Sequence, residues 1–442
     1  MTSLNLDTTL QRLPSARPCL IAGNTHITIG EALADACTWR ESMPEAKGAR
    51  VALCGLAPLE LILALMALDG HAAQILLLPS SLDTATLDNL NAQAGTTHIL
   101  TPGENRCQQI SSAVAAQSSP APTKWVLATS GTTGTPKLIE HQLATLTRTV
   151  RTDLARGAQF VWALLYDPSR FAGLQVVLQA LLSGSPLVVL DRIQFDAKLD
   201  AILAQQVNAL SATPTLWRKL LMDGRISKLP LRQLTLGGET ADQATLDALK
   251  RVFPQARIVH IYASTEAGTG FAVQDGRAGF PAAWLNNPDH SPALRVSVAQ
   301  HLLIKPTLLP KGTEIIARLD ADEYLDTQDL VRIDKDRVFF MGRSSGAINV
   351  GGNKVNPEWL ESYLRSIDGV TDARVFAKKS SLMGQLVAAE IVTVEGADLK
   401  VMRQHIIRSC KNDLESWEVP AFITFENELK ESAAGKRERL LT

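Results

Sequence analysis

The 442-residue chain has no surplus of either charge, no clustered cysteines and no long apolar run, and each absence removes a class of function. Lys and Arg number 44 against 45 Asp and Glu, a formal net charge of -1. The basic excess that binds phosphate backbones is missing, so nucleic acid is not expected as a partner. Cys19, Cys37, Cys54, Cys107 and Cys410 stand singly, with no CxxC pair. That spacing offers neither a zinc cluster nor a disulfide framework and suits a reducing, cytoplasmic setting. The longest apolar run, Leu61 to Leu68, is closed by Asp69 and His71, short of the roughly 18 residues of a membrane span. The N-terminal stretch MTSLNLDTTLQRLPSARP lacks the basic start and apolar centre of a signal peptide.

What is present supports a large folded protein. Hydrophobic residues make up 45% of the chain and charged residues 20%, enough for a sizeable core, and the length favours two or three domains. Apolar strand-like runs alternate with helical ones: a strand from Arg50, a helix over Pro58 to Leu68, strands at Ala73 to Pro79 and Lys124 to Thr129, a helix over Leu138 to Leu154, a strand at Phe160 to Tyr166, a helix over Leu174 to Leu182. This alternation predicts an α/β fold with largely parallel sheets. From about Asn287 shorter strands with acidic turns predict a more antiparallel β region. After Gly346 a compact unit begins, with a helix near Pro357 to Ser366, two strands, and a helix from Leu399 to Leu414. The change of texture places a boundary near Arg343 to Gly346.

One loop carries chemistry. Thr129 to Lys137 reads TSGTTGTPK, with four hydroxyls and two glycines in the six residues from Ser130 to Thr135. Gly131 and Gly134 allow close backbone approach. Exposed N–H groups with the Ser130, Thr132 and Thr133 hydroxyls can wrap a phosphate, and Lys137 adds positive charge. The spacing is not that of the GxxxxGK[ST] loop. A Ser/Thr/Gly turn capping a following helix is the plainer alternative.

The loop resembles the STSGTTGxPK signature of the adenylate-forming superfamily, which includes acyl- and aryl-CoA synthetases, peptide-synthetase adenylation domains and luciferases. Later segments resemble that family's motifs in order. LTLGGE, ending in Gly238 and Glu239, resembles its adenine-side segment. HIYASTEA resembles YGxTE, with Ala263 in place of the Gly. YLDTQDLV resembles the stretch ending in a ribose-binding Asp, here Asp329. The resemblance implies that Tyr262 stacks on adenine, Thr265 binds the α-phosphate, Glu266 holds Mg2+, and Arg343 contacts the ribose or phosphate side. Ser345 stands where the family has an Asp or Lys hinge, and Gly351 and Gly352 where a pantetheine arm approaches. KESAAGKRER resembles the family's C-terminal motif, making Lys436 the adenylation lysine, though the leading Pro and basic pair are replaced by Leu429 and Lys430.

The implied architecture is a large N-terminal domain, residues 1–342, of parallel-rich α/β layers with a β subdomain, and a small α+β C-terminal lid, residues 343–442. The implied reaction is attack of a carboxylate on ATP to give acyl-AMP and pyrophosphate, then transfer to the thiol of CoA or of a phosphopantetheine on a separate acyl-carrier protein. The family's acid pocket maps here to Tyr166, Asp167, Arg170, Phe171, Gly173 and Ala263. Asp167 either reads an amino group, as in amino-acid-activating relatives, or caps a helix. An apolar or aromatic small acid is expected. An amino-acid ligase and a non-catalytic nucleotide-binding relative are the alternatives.

Overall fold

The computed structural model describes residues 5–103, 107–110, 122–129, 136–191, 194–265, 268–306, 319–380 and 384–429. Their strands form four sheets. The largest has eight strands in the spatial order Gly268–Val273, Arg257–Ser264, Gln233–Gly237, Ala209–Ala212, Trp162–Leu164, Leu187–Val189, Pro18–Ala22 and Thr25–Thr28. Its six inner strands are parallel and both edge strands antiparallel. Leu187–Val189 and Ala209–Ala212 are buried throughout, as expected of strands covered on both faces. A six-stranded sheet centres on Arg50–Cys54, Gln74–Leu78 and Lys124–Thr129, again parallel inside and antiparallel at its edges. The apolar run read from the sequence is the end of the helix Pro58–Leu68, buried from Leu61 onward.

One helix expected from the sequence is absent. Leu138 to Leu154 does not continue as a helix. Lys137–His141 is a strand paired antiparallel with Lys124–Thr129, followed by two one-turn helices, Leu143–Leu146 and Leu154–Gly157. The physical reason is a change of period: Ile139 and His141 are buried while Leu138 and Glu140, before and between them, are only half-buried, an alternation of two that a helix would break. A strand rather than a helix thus begins at Lys137, and the reading of the phosphate loop as the cap of a following helix fails.

The antiparallel region expected after Asn287 is a five-stranded sheet containing Ala293–Val296, His301–Lys305, Leu325–Asp334 and Arg337–Arg343. A 3-10 turn, Ser344–Gly346, follows, and the last sheet is built wholly beyond it around Val370–Ser380 and Gly384–Thr393.

Four buried charges join this last sheet and its helix Pro357–Arg365 to the eight-stranded sheet's layer. Arg218 and Arg365 both reach Asp242, at 3.2 and 3.1 Å, and both face Asp372, at 3.4 and 3.9 Å. Asp242 also caps the helix Gln243–Val252 by accepting from Thr245 N–H at 2.8 Å. Burial alone would raise the Asp242 carboxyl, but the charges of Arg365 and Arg218 outweigh it and hold it below the usual carboxylate range. Stabilisation from this depressed group is present at neutral pH and is lost as pH falls through its folded-state value. Removing one member of such a cluster strands the others. Asp242→Asn, which keeps the helix cap, is expected to lower stability to urea by about 3 kcal/mol or more. Glu428→Gln, which breaks the exposed Lys219–Glu428 pair, is expected to cost under about 1 kcal/mol. Equal effects of the two changes would contradict this account.

Candidate active site

The strand Arg257–Ser264 divides the site. Side chains alternate across a strand, and here the alternation separates two cavities. His260 and Tyr262 line one of about 410 Å³. Arg257 and Val259 line another of about 1180 Å³. The two adjoin at the strand's C-terminal end, where Gly238, Ile261, Ala263 and Arg343 border both. A register shift between Tyr262 and Ala263 marks a bulge there, a device that re-aims side chains beside functional sites. The position agrees with the rule that open α/β sheets bind ligands beyond the carboxyl ends of parallel strands.

In the smaller cavity the Tyr262 hydroxyl donates to Asp329 Oδ2 at 2.5 Å, and Arg343 Nε donates to Oδ1 of the same carboxylate at 3.3 Å. Burial first, then the Asp329 charge, pushes the Tyr262 phenol well above its ordinary range, so it stays a donor at any working pH. Its ring lies nearly parallel to Phe271 and Phe340, with centroids 5.2 and 5.0 Å away. Part of the surface that the sequence reading assigns to adenine is thus held by two phenylalanines that line the same cavity. Gly238 has φ +83, a left-handed conformation that favours glycine. Glu239 Oε2 accepts Thr215 N–H at 3.0 Å, capping the helix Pro214–Asp223. From the last sheet's layer, Glu358, Glu361 and Arg365 close the cavity.

The larger cavity gathers Tyr166, Asp167, Arg170, Phe171 and Ala263, together with Thr129 and Thr265. The Tyr166 hydroxyl donates to Gly237 O at 3.1 Å, and burial raises its pKa. Asp167 Oδ1 accepts from both the N–H and the hydroxyl of Ser169, at 2.9 and 2.6 Å. This is a local turn ahead of the helix Phe171–Ser183, whose N-cap is Arg170 with no side-chain cap, so Asp167 does not cap that helix. Gly173 allows that turn to pack on the helix Phe171–Ser183, since a Cβ there would lie 2.2 Å from Asp167 O. Sequence reasoning missed Trp162, Trp284, His290, Gln233 and Arg257, which also line this space. A signal existed in Gln233–Gly237, where the polar Gln233 and Thr235 alternate with leucines yet are buried.

The remaining candidates fall elsewhere. Thr129 and Lys137 are the paired stems of the phosphate loop, and Thr129 Oγ1 accepts Lys137 N–H at 3.4 Å. Ser130, Gly131, Thr132, Thr133, Gly134, Glu266, Lys430, Lys436 and the side chain of Ser345 lie outside the described residues. Gly351 and Gly352 form the exposed tip between Ile348–Val350 and Asn353–Val355, with φ +57 and +95. A two-residue hairpin with positive φ at both positions itself calls for glycine. His141, assigned no role, is buried beside Phe171.

The chain is similar to known proteins. A 2-succinylbenzoate–CoA ligase of Listeria innocua is 23% identical over 337 residues, 71% of this chain and 68% of that protein. Its counterpart from Bacillus pumilus is 26% identical over 340 residues, 72% and 68% of the two chains. Among solved structures, the anthranilate CoA ligase AuaEII in complex with anthranoyl-AMP superposes with a TM-score of 0.78 at 17% identity, covering 99% of this chain and 96% of that one. That likeness establishes the fold. The AMP-binding enzyme family matches residues 119–291 and its C-terminal domain matches residues 360–436. These two matches span more than half of the sequence, and the chain belongs to the AMP-binding enzyme family, the adenylate-forming superfamily of acid-activating ligases.

Proposed function

We propose that the protein uses ATP to activate a carboxylic acid as acyl-AMP, releasing pyrophosphate, and then passes the acyl group to a thiol, with CoA as the favoured acceptor. The observation that carries this reading is the meeting of two cavities at Gly238, Ala263 and Arg343. Adenosine would occupy the smaller, with the ribose hydroxyls at Asp329. The acid would occupy the larger, and the α-phosphorus would sit where they join. Thr265 lines the larger cavity near that point. A carboxylate oxygen attacks the α-phosphorus and the bond to pyrophosphate breaks. Thiolate attack on the acyl carbon then releases AMP. Positioning and charge neutralisation suffice, without a covalent enzyme intermediate.

Aromatic walls, Phe160, Trp162, Phe171 and Trp284, favour an acid with an apolar or aromatic body. The engaged Asp167 disfavours an amino acid. CoA is favoured because the curated relatives bear CoA-ligase names. Mg2+ would travel with the triphosphate, which leaves it needing only one or two protein carboxylates, with Glu266 as its protein ligand and Thr265 on the α-phosphate. Among the described residues no other group of three His, Cys, Asp or Glu competes for it. Residues 343–442 would act as the lid, turning about Ser344–Gly346 and bringing Lys436 to the reacting atoms.

Acid-dependent exchange of pyrophosphate into ATP is the expected activity. Lys436→Ala should lower it by about two to three decades, the usual loss when a charge preorganised for the transition state is removed. Exchange unchanged in that variant would sink the assignment of the lysine, and no exchange across fatty, aromatic and amino acids would sink the reaction. Asp329→Asn removes the negative charge facing Arg343 Nε and weakens the ribose acceptor. ATP affinity measured by calorimetry should fall about 10-fold or more, and an unchanged affinity would place the ribose elsewhere.

A further inference from the structure

The walls of the larger cavity carry positive charge that acid activation alone does not use. Arg151, Arg156 and Arg257 all line it. Arg257 is fixed by neutral amides: its Nη1 donates to Gln233 Oε1 at 2.9 Å, and its Nε and Nη2 donate to Gln274 Oε1 at 3.0 and 2.7 Å. Among the described residues none of the three arginines forms an ion pair. Asp153, which lines the same cavity, commits one carboxylate oxygen to a helix turn, accepting the N–H groups of Ala155 and Arg156 at 3.0 and 3.1 Å. All three guanidiniums share this one cavity, and burial, then the charges of Arg156 and Arg151, lower the pKa of Arg257. Like charges that line one cavity, with Arg257 propped by amides rather than carboxylates, favour an anion between them.

The strand gives the distance. Arg257 begins the strand whose end, at Ala263, borders the nucleotide cavity. Six residues of strand span about 20 Å. Allowing for the length of an arginine side chain, an anion at this cluster lies roughly 10–15 Å from the reacting carboxylate. Phe160 and Trp162 line the same cavity.

We propose that the acid is an extended one with a second anionic group, a carboxylate or a phosphate-like group, at the end remote from the carboxylate that is activated, held by Arg151, Arg156 and Arg257. This rests on the reading of the larger cavity as the acid site.

The test compares plain monocarboxylic acids, α,ω-dicarboxylic acids and ω-phosphonocarboxylic acids of matched chain length in pyrophosphate exchange. The proposal expects kcat/KM for a dianionic acid to exceed that of its monoacid by about 10- to 100-fold, the worth of a charge-assisted hydrogen bond or two. The dicarboxylic and phosphono arms show which anion is preferred. Arg257→Gln and Arg156→Gln should erase the preference by raising KM for the dianionic acids far more than for the monoacids, while Arg257→Lys keeps most of it. Equal activity of monoacids and dianionic acids overturns the proposal, as does an equal loss for both in Arg257→Gln. If no acid of any kind supports exchange, acid activation fails as the function. Direct calorimetric binding then decides the site by itself: dianionic acids binding the wild type but not Arg257→Gln uphold it, and no such difference overturns it.

Discussion

Everything at this site depends on the strand Arg257–Ser264 having two faces. A strand cannot point successive side chains the same way, so a single element near the edge of the large sheet serves two cavities at once. Tyr262 looks to the cavity assigned to the nucleotide and Val259 to the one assigned to the acid, and the faces meet at Ala263. The parallel neighbour Gln233–Gly237 and the antiparallel neighbour Gly268–Val273 fix that strand in register, so the walls of both cavities are placed by backbone hydrogen bonds rather than by loops alone. Sites built on strands hold geometry well, and a reaction driven by positioning needs that.

The second constraint is electrostatic. The ring of Arg218, Asp242, Arg365 and Asp372 sets the helix Pro357–Arg365 over the smaller cavity, and Arg365 both belongs to the ring and lines that cavity. Asp329, between the Tyr262 hydroxyl and Arg343, works at smaller scale: a carboxylate with both oxygens engaged is oriented before any ligand arrives. Preorganised charge of this kind does not have to be rearranged during reaction.

Much of the fold was legible because its signals are local. Pro58–Leu68 and Lys124–Thr129 were read at their observed bounds, since an apolar run with Pro at its start, or a short run of large apolar residues, leaves little choice. Leu138 to Leu154 was misread because the strand Lys137–His141 is short and only its burial shows the period of two. The ordered motifs named Gly238, Tyr262, Asp329 and Arg343, which the structure gathers around the smaller cavity. The acid side was less legible. Asp167 was recognised but its partner Ser169 could not be chosen from sequence. The arginine cluster joins residues 151, 156 and 257, whose adjacency exists only after the sheet has formed. The phenylalanines against Tyr262 come from two different sheets, one of them the five-stranded antiparallel one, and no local pattern announces them.

The central claim is that a carboxylate oxygen of the acid attacks the α-phosphorus of ATP. Turnover with an acid labelled with heavy oxygen in its carboxylate tests it most directly. Attack at that phosphorus, followed by thiol attack on the acyl carbon, leaves one carboxylate oxygen on the nucleotide, so the account predicts AMP carrying the label. Unlabelled AMP, or ADP with the label in inorganic phosphate, would contradict it.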